Sequence, residues 1–164
     1  MTIRNSTEKD FSEIMKIYSH ARKFMAENGN PNQWGKNNWP PENLIHQDIL
    51  RKKSFVCVEN EKIVGTFFYN FGENIEPTYE KIFEGEWKNF SAYGVVHRIA
   101  SSGEVKGVGK FCLNWEFEQS KHLRIDTHAD NKIMQELLKN LGFEKCGMIF
   151  VEQGNFPRFA YEKF

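Results

Sequence analysis

The chain of 164 residues balances 22 lysines and arginines against 22 aspartates and glutamates, and 40% of its residues are hydrophobic. This length and apolar content suit one domain with its own core, spanning residues 1–164. The balanced charge argues against a generally basic domain that binds nucleic acid. Because no long apolar run and no apolar leader occur, we expect no membrane segment and a cytoplasmic location.

The three cysteines, Cys57, Cys112 and Cys146, are odd in number, far apart and without a CxxC pair. That pattern predicts three buried thiols in a reducing compartment. A nucleophilic cysteine is the less favoured alternative, because free cysteine usually packs as a small apolar residue.

Hydrophobic periodicity and turn residues predict an alternation of helices and strands without repeats or linkers. An N-cap opens the first helix and a glycine closes the last one. The predicted elements are a strand at Ile3, a helix after Thr7 ending at Asn28, a loop over 30–41, a helix from Pro41 to about Lys53, a hairpin of strands 54–59 and 62–71 with its turn at Asn60-Glu61, an irregular excursion over 72–87, a strand over 91–101, a helix from about Gly107, a strand over 122–128, a helix capped by Asp130 and ended by Gly142, and strands over 143–151 and 158–164.

A glycine-rich loop follows the fourth predicted strand, and two common phosphate-binding patterns do not fit it. A P-loop that uses Gly109 for its Gly-Lys pair needs glycine where Glu104 stands and a hydroxyl where Phe111 stands. A dinucleotide fingerprint beginning at Gly107 needs a third glycine where Cys112 stands. Both patterns are therefore excluded.

The loop still has the chemistry of an anion site. The amides of residues 107–110 stand at a helix start, where they lack intrahelical acceptors and the helix dipole is positive. Glycines at 107 and 109 permit close approach of a phosphate, and Lys106 and Lys110 add charge. The alternative is a glycine turn that only starts a helix.

The order of elements resembles the GNAT superfamily of N-acetyltransferases. A strand enters an x-x-Gly-x-Gly loop that opens a helix, and after a further strand comes a helix with Asp-Asn at its start and Gly-Phe after its end. The resemblance implies an α+β fold, a three-layer arrangement whose mixed, mostly antiparallel sheet of six to seven strands is flanked by about four helices. In the family the loop begins with Gln or Arg and binds the pyrophosphate of coenzyme A. Glu104 departs from that pattern.

The resemblance further implies acetyl-CoA as a cosubstrate, bound where the fourth and fifth strands splay apart. The backbone of the fourth strand would hydrogen-bond to the pantetheine arm, which would lie beside it like an additional strand. One backbone amide of that strand would point at the thioester oxygen. The implied cofactor-binding residues are Ile99, Ala100, Ser101, Val105, Lys106, Gly107, Val108, Gly109, Lys110 and Asn131.

Transfer to an amine requires a base, because a lysine-like amine is less than ~0.1% neutral at pH 7. His97 on the fourth strand and His128 beyond the fifth are the candidates, each with the alternative of a packed or solvated residue. The pattern Asp126-x-His128-x-Asp130 could suggest a metal site, but the sequence shows no further ligands for it, so we expect no bound metal. Leu138 stands where the family often has a tyrosine that acts as the general acid. Tyr161 and Tyr93 are therefore the remaining candidates for that acid.

The acceptor implied by the family is a primary amine of a small molecule or a peptide. Trp34 and Trp87 are candidates to wall its pocket, with the alternative that each indole pins a loop to the core. We expect neither nucleic acid nor membrane as a partner, and the sequence leaves monomer and homodimer open. The competing hypothesis, from the departures at Glu104 and Leu138, is a catalytically silent acyl-CoA-binding module of the same fold.

Overall fold

The computed structural model describes residues 1–34, 38–151 and 156–164. These residues form seven strands, four α-helices and two 3-10 turns, the turns lying at Glu8–Asp10 and Pro77–Tyr79. The strands are β1 (Thr2–Asn5), β2 (Ser54–Glu59), β3 (Lys62–Gly72), β4 (Tyr93–Ser101), β5 (Leu123–Thr127), β6 (Glu144–Val151) and β7 (Phe156–Lys163). The helices are α1 (Phe11–Glu27), α2 (Glu42–Leu50), α3 (Val108–Ser120) and α4 (Lys132–Asn140).

All seven strands belong to one sheet in the order β1-β2-β3-β4-β5-β7-β6. The β1–β2, β2–β3, β5–β7 and β6–β7 pairs are antiparallel. Strands β4 and β5 are parallel, with Gly94 opposite Leu123 and Val96 opposite Ile125. The predicted α+β class with a mostly antiparallel sheet is confirmed.

The chain divides into two compact units, and the first comprises Met1–Tyr69 and His97–Leu113. Its core forms where α1 and α2 bury their apolar faces. Ile14, Ile17 and Tyr18 recur at helical spacing on α1 and are at most 4% exposed, and Ile45 and Ile49 of α2 join them. The β2–β3 turn places Asn60 and Glu61 both at positive φ, 48° and 65°. That turn type matches strand twist and confirms the predicted hairpin.

The second unit comprises Asn70–Val96 and Asn114–Phe164. Within it, α4 ends as predicted. Gly142 has φ of 79° and its amide donates to Lys139 O at 3.0 Å, while the Phe143 amide donates to Leu138 O at 3.0 Å. These two bonds satisfy the last carbonyls of the helix.

Three helix boundaries differ from the prediction. Pro41 is the N-cap of α2 rather than its first residue, and the helix ends at Leu50 because the chain turns left-handed at Lys52, where φ is 57°. Asn131 caps α4, accepting from the Met134 amide at 3.1 Å, so the prediction that Asp130 caps it is wrong. Part of the predicted loop over 30–41, residues 35–37, lies outside the described residues.

The three cysteines are free and buried, as predicted. In the parts of the chain that the structure describes, no helix combines the length and apolar character needed to cross a bilayer.

Candidate functional site

The glycine loop, residues 102–110, enters α3 through backbone conformations that require glycine. Gly103 and Gly107 have φ of 79° and 81°, in the left-handed region that other residues rarely adopt. The Phe111 amide donates to Gly107 O at 2.9 Å, which is the first helical bond of α3. The amides from Gly107 to Lys110 therefore precede the hydrogen-bond ladder and face out of the helix start.

Strand β3 fixes the position of this helix start. The Ser102 amide donates to Val64 O at 2.9 Å, which anchors the beginning of the loop. At the other end Val108, only 2% exposed, packs over Gly65. A Cβ on Gly65 would lie 2.5 Å from Val108 Cγ1 and 3.3 Å from Ala100 O. The absence of a side chain at Gly65 is therefore what seats the first residue of α3.

The surroundings of the helix start are open and carry cationic side chains. A Cβ on Gly107 would meet nothing within 4 Å. Lys106 and Lys110 are exposed, as is Glu104, whose amide donates to Ser102 Oγ at 3.3 Å. Open amides, a 13-residue helix and two lysines fit a pyrophosphate, and Glu104 is the one opposing charge in the loop.

The last residues of β4 carry an irregularity next to the predicted thioester contact. Arg98 has φ of 55°, although it lies inside a strand. Backbone polar groups alternate along a strand. Because the Ser102 amide bonds to β3, the polar groups of Ala100 also point toward β3 and those of Ile99 and Ser101 point away. This orientation favours Ile99 and Ser101 over Ala100 as the residues that present backbone groups to a ligand.

His97, the first β4 residue of this unit, is half-buried and stacks on Phe68 with ring centroids 5.7 Å apart. Its neighbour Arg98 donates from Nη2 to Asp48 Oδ2 at 2.6 Å, with side chains 11% and 6% exposed. Burial raises the pKa of Asp48, and the charge and hydrogen bond of Arg98 oppose that rise. This pair was not predicted from the sequence, although Asp48 stands between Ile45 and Ile49 on the buried face of α2.

His128, in the second unit, is held by a hydrogen bond that decides its proton position. The Asp130 amide donates to His128 Nδ1 at 3.1 Å, so the neutral ring carries its proton on Nε2. Burial, and then the charge of Arg158, lower the pKa of His128, while the charge of Asp130 opposes that change. In this arrangement Nε2 is a hydrogen-bond donor and Nδ1 is already occupied as an acceptor, so the neutral ring is poorly placed to abstract a proton.

A buried polar cluster lies beside His128 and was not predicted. Tyr79 Oη donates to Asp126 Oδ2 at 2.8 Å, and Arg158 Nε lies 3.9 Å from Asp126 Oδ1. The Trp87 indole donates to Tyr79 O at 2.9 Å and the guanidinium of Arg124 lies over its ring at 4.2 Å. The irregular excursion thus has an ordered, buried interior in this unit.

The two candidate acceptor tryptophans are packed in separate units. Trp34 is 9% exposed and meets Tyr18 edge-on at 5.8 Å, and Trp87 is 6% exposed. Asn131 is occupied as the cap of α4. Contacts of these three residues with substrate or cofactor remain predictions.

Leu138 stands at the position where the resemblance places the family's tyrosine acid. It has no hydroxyl group and is fully buried. Tyr93 is 4% exposed, and Tyr161, 6% exposed, lines an open cavity of about 390 Å³ beside α4. Burial raises the pKa of Tyr161. Across residues 1–34, 38–151 and 156–164, no group of three or more His, Cys, Asp or Glu side chains could hold a metal ion.

Comparison with solved structures identifies the fold family. A GNAT-family acetyltransferase from Streptococcus agalactiae 2603 is 30% identical with a TM-score of 0.88, the match covering 99% of this chain and 94% of that one. The chain therefore belongs to the GNAT family of acetyltransferases. No protein-family model and no curated protein matches the sequence.

Two further structures share the fold at lower identity. A candidate acetyltransferase from Staphylococcus aureus Mu50 is 24% identical with a TM-score of 0.71, the match covering 99% of this chain and 98% of that one. A ribosomal-protein-alanine N-acetyltransferase from Brucella melitensis is 19% identical with a TM-score of 0.66, and the match covers 100% and 99% of the two chains.

Proposed function

We propose that this protein is an acetyl-CoA-dependent N-acetyltransferase that transfers the acetyl group to a primary amine by direct attack in a ternary complex. The observation that carries the proposal is the glycine loop, in which left-handed Gly107 opens α3 and leaves its first amides facing outward beside Lys106 and Lys110. Membership of the GNAT family indicates which anion the loop binds, because GNAT proteins bind the pyrophosphate of coenzyme A at this loop.

The residues proposed to hold acetyl-CoA are those of the loop and of the end of β4. Amides 107–110 bind the pyrophosphate, with Lys106 and Lys110 offsetting Glu104. Ile99 and Ser101, whose polar groups point away from β3, pair with the pantetheine arm. The Ile99 amide stabilises negative charge that develops on the thioester oxygen during attack. Acetyl-CoA supplies the activated acyl group, and no covalent enzyme intermediate is needed.

His97 is the better supported candidate for the base. A protonated amine must lose a proton before it attacks, and an imidazole is a side chain that can accept that proton. His97 lies on β4 two residues before Ile99, whereas the Nδ1 atom of His128 is already an acceptor for the Asp130 amide. We therefore assign proton removal to His97 and treat His128 as the second candidate.

One observation favours a different function of the same fold, namely an acyl-CoA-binding module without catalysis. Leu138 is fully buried at the position where the family often has a tyrosine acid. Such a module would bind acetyl-CoA and gain stability from it, without turnover of any amine. Measured turnover separates the two functions.

The testing experiment measures release of the coenzyme A thiol from acetyl-CoA across a panel of primary amines. The panel contains amino acids, polyamines, aminoglycosides and peptides with free N-termini, among them an N-terminal alanine because of the Brucella protein's name. Amine-dependent thiol release with a matching acetylated product supports the enzyme. Stabilisation by acetyl-CoA with no turnover supports the binding module, and stabilisation by Mg-ATP alone contradicts both.

A further inference from the structure

Arg98 adopts a backbone conformation that its own chemistry does not explain. The left-handed conformation is unfavourable for a residue with a side chain, because its Cβ crowds the neighbouring backbone. Arg98, with φ of 55°, lies inside β4, where neighbouring residues are extended. Such a residue interrupts the pleat and re-aims the peptide groups that follow it. Some interaction outside the backbone must hold it there.

The side chain of Arg98 is held on two sides. Nη2 donates to Asp48 Oδ2 at 2.6 Å, and the guanidinium carbon lies 4.7 Å from the centroid of the Phe68 ring. Asp48 comes from the buried face of α2 and is 4% exposed. The arginine is therefore clamped between a helix carboxylate and an aromatic ring of β3.

Fold stability alone does not account for this pair. Buried ion pairs are often no more stabilising than apolar residues of similar size, because both charges lose their hydration. Arg98 Nε is buried and has no hydrogen-bond partner in the described part of the chain, which adds to that cost. Ile45 and Ile49 flank Asp48, so an aliphatic residue would suit its position on α2 better.

The geometry points to a positioning role, which rests on the proposed acetyl transfer. We propose that Asp48, acting through Arg98, holds the left-handed turn of β4 and thereby aims the Ile99 amide at the thioester oxygen. Asp48 contacts neither substrate in this assignment. Its removal is expected to lower kcat, because a small displacement of an oxyanion donor is costly, while acetyl-CoA binding through the glycine loop persists.

The test replaces the pair by apolar residues, so that folding is preserved. The double variant Asp48→Leu with Arg98→Met removes both charges together and is expected to unfold at or above the wild-type temperature. With the panel amine that gives the highest turnover, its kcat should fall by about 100-fold while KM for acetyl-CoA changes less than about threefold. The single variant Asp48→Asn should lower kcat in the same direction.

The control is Asp10→Asn, which removes another carboxylate of the same unit that binds an arginine, Arg4, at 2.7 Å. It should reduce stability and leave kcat unchanged. A folded double variant with wild-type kcat would overturn the positioning role, and so would a loss that appears in KM alone. Failure of the wild-type protein to acetylate any panel amine would instead remove the proposed function itself, so the two failures are distinguishable.

Discussion

Placing a methyl group on Gly65 should weaken acetyl-CoA binding without touching the loop that binds it. The new Cβ would lie 2.5 Å from Val108 Cγ1. Carbon atoms in contact settle at about 3.5 Å or more, so Val108 must retreat by about 1 Å. Valine is stiff about its first side-chain torsion, so much of that shift passes to the backbone at the start of α3.

The size of the effect follows from the hydrogen bonds at that helix start. Losing one bond to a charged group costs about 1.5–3 kcal/mol, which corresponds to a rise in Kd of about 10-fold to 150-fold. Overpacking at Gly65 should also cost about 1–3 kcal/mol of stability. Isothermal titration calorimetry with acetyl-CoA on Gly65→Ala measures the first effect, and chemical denaturation measures the second.

Val108→Ala provides the matched rescue, because it removes the methyl group that the new Cβ would strike. The double variant Gly65→Ala with Val108→Ala should bind acetyl-CoA within about threefold of the wild-type Kd, because the Cβ added at residue 65 occupies space that the two lost γ-methyl groups of Val108 vacate. Wild-type affinity in folded Gly65→Ala would refute the reasoning. So would a double variant no better than the single one, because the seat at Gly65 would then not set the helix start.

Three further outcomes are expected. Gly107→Ala should lose acetyl-CoA affinity. The control is Gly29→Ala, because Gly29 also has φ of 81° and a Cβ there would meet nothing within 4 Å. It should retain acetyl-CoA affinity and lose only about 1 kcal/mol of stability to backbone strain, measured by denaturation. Burial raises the pKa of Glu116 well above its ordinary 4.5, so the folded protein keeps a proton that the unfolded chain releases, and stability falls as pH rises above 4.5. Glu116→Gln should therefore gain in melting temperature relative to wild type at pH 8 and not at pH 4; parallel melting curves would contradict this. Arg4 lowers the pKa of Asp10 from 3.8 to about 2. Asp10→Asn should therefore be less stable than wild type at pH 7, by only about 1 kcal/mol because Arg4 is half exposed. This difference in stability should vanish as the pH falls through about 2.

Local chemistry made much of the fold predictable. The Asn60-Glu61 turn, the glycine closing α4 and the helical spacing on α1 each depend on residues close in sequence, and each prediction is confirmed. The cap of α4 was assigned to the wrong neighbour, because aspartate and asparagine both cap helices and stand side by side at 130 and 131. Which of two adjacent capping residues is used depends on the chain direction that tertiary packing imposes.

The polar pairs that organise each unit could not be predicted in the same way. Arg98 and Asp48 are 50 residues apart in sequence, and Tyr79 and Asp126 are 47 apart. Their pairing depends on strand order and on how helices lie on the sheet, which periodicity does not report. An acidic residue on the apolar face of α2 was a usable signal for Asp48. A polar residue at a position where the pattern calls for an apolar one marks a site that serves more than core packing.

The most direct test of the proposed function is mass spectrometric detection of acetylated amine alongside coenzyme A thiol release, using wild-type protein and the amine panel. The proposed acetyl transfer predicts that at least one primary amine gains an acetyl group in step with thiol release, and that His97→Ala slows this product formation far more than it weakens acetyl-CoA binding. Folded protein that leaves every amine unmodified, whether or not acetyl-CoA stabilises it, would contradict it.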